Sequence, residues 1–194
     1  MSRIVSAMVV LARACGTARA QTQSTTPAVD PATKLNFAAT VGGASFERAV
    51  NYGGAPVNRP DQGTSYFYST PKKLVITVQV YDGGRRVPVG NTSPIVIGEF
   101  SNELDSVAQQ VKGSGFTNLE RPPVPSTCTY GPLTFRCITY SVLSAANTRF
   151  YSKLLLTGYQ NNFVKIRIDW SQSHQQTSAD ADAALQAFVP ALMH

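Results

Sequence analysis

Residues Arg149 to Trp170, RFYSKLLLTGYQNNFVKIRIDW, decide how this chain is read. Two runs rich in strand formers flank the polar segment Tyr159-Gln160-Asn161-Asn162, which predicts a β-hairpin with strands over Arg149–Thr157 and Phe163–Trp170. Val164, Ile166, Ile168 and Trp170 alternate with polar residues and so share one face. If Phe150, Leu154 and Leu156 are to join that face, the loop must hold an odd number of residues, about three or five. A two-residue turn would set Lys153 among the apolar side chains, and a pairing of Leu155 with Ile166 would contradict this register. Under the odd loop, Tyr151, Lys153, Lys165, Arg167 and Asp169 project together from the outer face, with Lys153 opposite Asp169. This small cationic and partly aromatic patch is the candidate binding surface, suited to a protein or anionic partner. The plainer reading is a solvated sheet face with a cross-strand ion pair. If the patch binds, replacing Lys165 and Arg167 by Ala should remove a partner and leave the melting temperature nearly unchanged.

Downstream of the hairpin, Thr177-Ser178-Ala179-Asp180 has the form of a capping box, and Ala181, Leu185, Phe188 and Leu192 follow at helical spacing. Pro190 is expected to kink or end that helix early. Upstream, Cys128 and Cys137 bracket Gly131-Pro132, a strong turn signal, so a disulfide across a short hairpin is expected. Closing so short a loop should stabilise the fold by about 2.5–3 kcal/mol. Another helix is predicted from Ser93 as N-cap and Pro94 at the first turn to Gly113 just past its end, with Phe100, Leu104, Val107 and Val111 as the apolar stripe. Short strands are expected at Ser45–Val50, Thr64–Ser69, Leu74–Tyr81 and Phe116–Leu119. The order of strands, helix, hairpins and helix predicts an α+β fold: an antiparallel β-sheet with two helices packed on it.

Two stretches carry a resemblance: Thr77-Val78-Gln79-Val80-Tyr81-Asp82-Gly83-Gly84, and Leu154-Leu155-Leu156-Thr157-Gly158 followed by Phe163-Val164-Lys165-Ile166-Arg167. They resemble small exported bacterial proteins without assigned activity, and the element order is similar to the PsbP/DcrB-like fold. That resemblance spans most of residues 45–190. It implies a sandwich that hosts accessory and assembly roles more than catalysis, and it transfers no functional residue.

The beginning of the chain predicts its address. Arg3, the apolar run Ile4–Ala12 and Ala18-Arg19-Ala20 have the form of a signal peptide over residues 1–20, cleaved before Gln21. Residues 21–34, rich in Gln, Thr, Pro and Ala, are expected to form a flexible tether, and residues 35–194 a single domain. The apolar run is too short for a transmembrane anchor, which needs about 20 residues. Lipidation at Cys15 is disfavoured by Arg13. The expected location is periplasmic or extracellular, where the remaining cysteine pair would be oxidised.

Export also corrects the charge. The 194-residue chain carries 17 Lys+Arg and 11 Asp+Glu; Arg3, Arg13 and Arg19 lie in the leader and no acid does, so 14 bases face 11 acids and the excess falls from +6 to +3. Nothing so diffuse suggests nucleic acid as a partner. The chain has no G-x-S-x-G, P-loop, H-E-x-x-H or dinucleotide fingerprint. His174 and His194 do not sit at metal-ligand spacing from a cysteine, so no metal and no cofactor is expected. Glu99 and Glu103 read as a solvated helix face, and Arg85-Arg86 as a second, weaker patch. The sequence therefore favours a non-enzymatic binding or accessory module. Its rivals are a hydrolytic enzyme with a cleft gathering His174 or several carboxylates, and a structural envelope component. Oligomeric state is open at this level.

Overall fold

The computed structural model describes residues 22–55 and 57–194; the expected signal peptide and Cys15 lie outside them. The strands are β1 (Thr22–Ser24), β2 (Ala28–Val29), β3 (Asn36–Phe37), β4 (Thr40–Val41), β5 (Ala44–Asn51), β6 (Thr64–Ser69), β7 (Val75–Tyr81), β8 (Thr117–Glu120), β9 (Ser126–Tyr130), β10 (Leu133–Leu143), β11 (Arg149–Tyr159) and β12 (Asn162–Ser171). The helices are α1 (Pro94–Gly113), between β7 and β8, and α2 (Ser178–Ala191), after β12. Ten strands form one antiparallel sheet in the order β1-β5-β6-β7-β12-β11-β10-β8, with β4 on β5 and β9 on β10. The α+β class and the two helices thus agree with the sequence. No helix among the described residues is long and apolar enough to cross a membrane.

The β11–β12 hairpin has a different register from the expected one. Leu155 pairs with Ile166, Lys153 with Ile168 and Ser152 with Asp169, because the connection is a two-residue turn at Gln160-Asn161. Both turn residues have positive φ, 49° and 61°, the signature of a type I′ turn, whose twist matches that of the flanking strands. The assumption behind the odd loop, that only one face needs apolar residues, is what fails. Leu154, Leu155 and Leu156 are all buried. Leu155, Val164, Ile166, Ile168 and Trp170 pack with Ala181, Leu185 and Phe188 of α2. Leu154, Leu156, Phe150 and Phe163 pack with Val96, Phe100, Leu104 and Val107 of α1. One helix covers each face, so the central strands read as nearly continuous apolar runs.

The helix ends follow the local chemistry. Ser93 Oγ accepts from the Val96 amide at the start of α1, and Pro94 occupies the first turn, where its missing N–H leaves nothing unpaired. The helix includes Gly113, and the left-handed residue is Gly115, φ 74°. Thr177 and Asp180 form the expected reciprocal capping box at α2. Lys72 Nζ, 2.5 Å from Asp180 Oδ1, together with the Thr177 bonds, holds this carboxyl down at about pKa 2. Helix α2 runs one residue past Pro190. Cys128 and Cys137 form the disulfide, with Cα atoms 6.2 Å apart. They sit diagonally: Cys128 faces Phe135 and Cys137 faces Ser126. Gly131, φ 56°, and Pro132 make the turn between β9 and β10, an arrangement that fits type II′ because proline excludes type I′.

The segment expected as a tether is built into the fold. Thr22–Ser24 pair with β5, and β2 pairs with β3. Asp30 is buried and accepts from the Thr33 amide and hydroxyl through Oδ1 and from Tyr66 Oη through Oδ2. Burial and the adjacent Asp30 charge raise the Tyr66 hydroxyl well above its ordinary pKa. The composition of residues 21–34 conceals one buried hydrogen-bonding aspartate, and that aspartate is what fastens the segment.

Candidate functional site

The new register separates the five residues of the expected patch. Tyr151 and Lys153 face α2; Lys165, Arg167 and Asp169 face α1. Tyr151 stacks on Trp170 with ring centroids 5.5 Å apart. Lys153 Nζ reaches Asp182 Oδ1 at 2.5 Å and the Tyr130 hydroxyl at 2.8 Å, tying β11 to α2. Burial opposes the ammonium charge, but these two hydrogen bonds outweigh it and raise its pKa. Lys153 is therefore an anchor, and it does not lie opposite Asp169.

On the α1 side, Lys165 Nζ lies 2.6 Å from Glu103 Oε1. Arg167 Nε bonds Asp169 Oδ2 at 3.0 Å, and Asp169 Oδ1 accepts from Ser152 Oγ at 2.5 Å. The Asp169 charge holds the Arg167 guanidinium pKa well above its ordinary value despite burial. The Tyr81 hydroxyl is raised mainly by burial, and then by the Glu103 and Glu99 charges; it donates to Glu99 Oε1 at 2.8 Å. Glu99 and Glu103, read from sequence as a solvated face, instead bind α1 to the sheet. Arg85 is also occupied, by Glu99 at 2.7 Å, and Arg86 bonds Asn161 at 3.2 Å. These cations are largely balanced within the molecule and offer little charge to a partner.

Helix α1 packs over β8, β10 and β11 and reaches the end of β7 at Tyr81, while on the same side Phe67 of β6 and Val75 of β7 stay only half-buried. A groove with two compartments that share Phe67 runs over this part of the sheet, and α1 borders the smaller of them. The larger, about 440 Å³, is bordered by Arg48, Phe67, Val75, Phe150, Asp169 and His174. The smaller, about 170 Å³, is polar, lined by Gln79, Glu103, Gln110, Tyr140, Lys165 and Arg167. Phe67 and Val75 are only half-buried although they lie on the floor.

A β-bulge shapes the rim. Phe46 pairs with Tyr68 and Arg48 with Phe67, leaving Glu47 as the extra residue in β5. Such bulges interrupt strand alternation and re-aim side chains. Both Glu47 and Arg48 consequently border the groove. The Arg48 guanidinium stands 4.2 Å from the Phe67 ring centroid, a cation–π arrangement. Glu47 accepts a hydrogen bond from Ser69. Lys73 and Gln176 complete this end of the cleft.

His174 sits on the same rim, exposed, with Nδ1 3.4 Å from Ser173 Oγ. Glu47 and Asp169 border the cleft with it, but neither hydrogen-bonds its ring. No acid–histidine–serine relay is assembled there among the described residues. Nor do they contain a cluster of three or more His, Cys, Asp or Glu able to hold a metal ion. The groove residues Glu47, Arg48, Phe67 and Lys73 went unnoticed in the sequence because each reads as an ordinary strand or turn residue. The bulge that gathers them has no local signature. No family model matches the chain, and the comparisons with curated proteins and with solved structures also find no match.

Proposed function

We propose that this is an exported, non-enzymatic binding module that holds a small, largely apolar ligand in the larger compartment of the groove. The observation that carries the reading is the half-buried pair Phe67 and Val75 in a cavity of about 440 Å³. That volume lies in the usual range of ligand pockets, about 300–1,000 Å³, and an apolar lining with a few polar groups is their common composition. The periplasmic or extracellular location rests on the leader-like residues 1–20, and the Cys128–Cys137 disulfide suits an oxidising compartment. A relationship to the PsbP/DcrB-like fold is part of the same proposal. It rests on the quoted sequence stretches and on an antiparallel sheet with two helices. An accessory role would suit that fold.

The test uses N-phenyl-1-naphthylamine, a neutral apolar fluorophore. The folded protein should bind it saturably at one site per chain, and Phe67→Glu should abolish the signal while leaving the melting temperature within a few degrees. Absence of saturable binding, or binding indifferent to Phe67→Glu, contradicts the reading.

A further inference from the structure

Arg48 and Lys73 stand apart from the other cations near the groove. Lys165 is paired with Glu103 and Arg167 with Asp169. Lys72, next in sequence to Lys73, is paired with Asp180. Arg48 and Lys73 form no ion pair with a carboxylate among the described residues, and both border the larger compartment. Arg48 is placed there by the bulge, which makes Arg48 the partner of Phe67 in the strand ladder. Its guanidinium is held over the Phe67 ring by a contact that leaves its hydrogen-bonding edge unused. Two carboxylates share the rim. Asp169 is neutralised by Arg167 and Ser152. Glu47, bonded to Ser69, is the one acid there without a cation. The rim thus has two unspent positive charges against one negative, above an apolar floor of Phe67, Val75 and Phe150.

From this arrangement we infer that the groove selects amphipathic carboxylates: molecules with an apolar body and an anionic head. The body lies on Phe67 and Val75. The head is taken by Arg48, whose planar fork can bind a carboxylate through two parallel N–H···O bonds, with Lys73 as a second cation. Glu47 opposes the head and lowers its affinity. This inference rests on the groove being a ligand site, and it adds the class of ligand.

The experiment measures binding of decanoate, decanol and decylamine below their aggregation concentrations, by calorimetry and by displacement of N-phenyl-1-naphthylamine. Decanoate should bind about tenfold or more tighter than decanol, and decylamine weakest, since a charge-assisted contact is worth at least that much. Arg48→Gln with Lys73→Gln should bring decanoate down to the level of decanol, whereas Glu47→Gln should strengthen decanoate binding severalfold. Unchanged decanol binding in these variants certifies that the groove is intact. Equal binding of decanoate and decanol, or decanoate binding indifferent to Arg48 and Lys73, overturns the charge selection and leaves the groove as an apolar site. Failure of all three compounds and of the fluorophore overturns both the inference and the reading beneath it.

Discussion

Arg167 shows how much a single register changes a residue's meaning. In the expected hairpin it is a surface cation, replaceable without harm. In the fold it is paired with Asp169, whose side chain is 5% exposed. Removing one partner of such a pair leaves a buried charge without compensation, which costs about 3–5 kcal/mol, while removing both costs far less. Arg167→Met should therefore lower the unfolding free energy by about 3 kcal/mol. Arg167→Met combined with Asp169→Asn should recover most of that loss, as read from urea unfolding of both variants. Equal stability of wild type and Arg167→Met would return Arg167 to the surface. A glycine in the same hairpin makes the close packing visible. A Cβ on Gly158 would fall 1.8 Å from the Pro88 carbonyl oxygen, because Gly158 and Gly90 exchange backbone hydrogen bonds of 2.8 and 2.9 Å.

At the scale of elements, the sequence was legible where punctuation is chemical. Ser93 and the Thr177–Asp180 pair satisfy local backbone groups, and Gly131-Pro132 presets the turn dihedrals, so their positions could be read without knowing the fold. The β11–β12 turn was illegible for a physical reason. Gln160-Asn161 lacks the glycine that usually marks a type I′ turn, and the facing strands are apolar on both sides, so alternation could not choose the register. The same turn makes a prediction. Gln160 at φ 49° occupies a left-handed conformation that disfavours most residues with a Cβ. Gln160→Asn with Asn161→Gly should stabilise the protein by roughly 1 kcal/mol and raise the melting temperature by about 2–4 °C. If the loop were of odd length, this pair of substitutions would not stabilise it. Asn161 also accepts from Arg86, so the gain is net of that exposed contact.

For the whole molecule, the decisive fact is asymmetry between the two faces. Helix α2 lies over a core that extends from Leu35 and Phe37 across β6, β7, β12 and β11. Helix α1 lies over β8, β10 and β11 on the other face and reaches β12 at Lys165 and β7 at Tyr81, and the groove runs over the half-buried residues Phe67 and Val75. The overall class, an antiparallel sheet with two helices, followed from element order. The site did not, because it depends on a bulge at Glu47 and on bringing β5, β6, β7 and the segment after β12 together, both products of tertiary packing. Residues 22–34 are built into the fold for a related reason: Asp30 finds Tyr66, 36 positions away. The patch chosen from sequence had the right chemistry in the wrong state. Its cations are paired internally, and the cations that border the larger compartment without an ion pair, Arg48 and Lys73, lie on strand and turn segments that looked ordinary.

Mapping amide chemical shifts during titration with decanoate tests this account most directly. Saturable shifts should concentrate at Arg48, Phe67–Ser69, Lys73–Val75 and Asp169–His174, the rim and floor of the larger compartment. Shifts centred instead on Tyr151, Lys153 and Asp182 on the opposite face, or none at all, would contradict it.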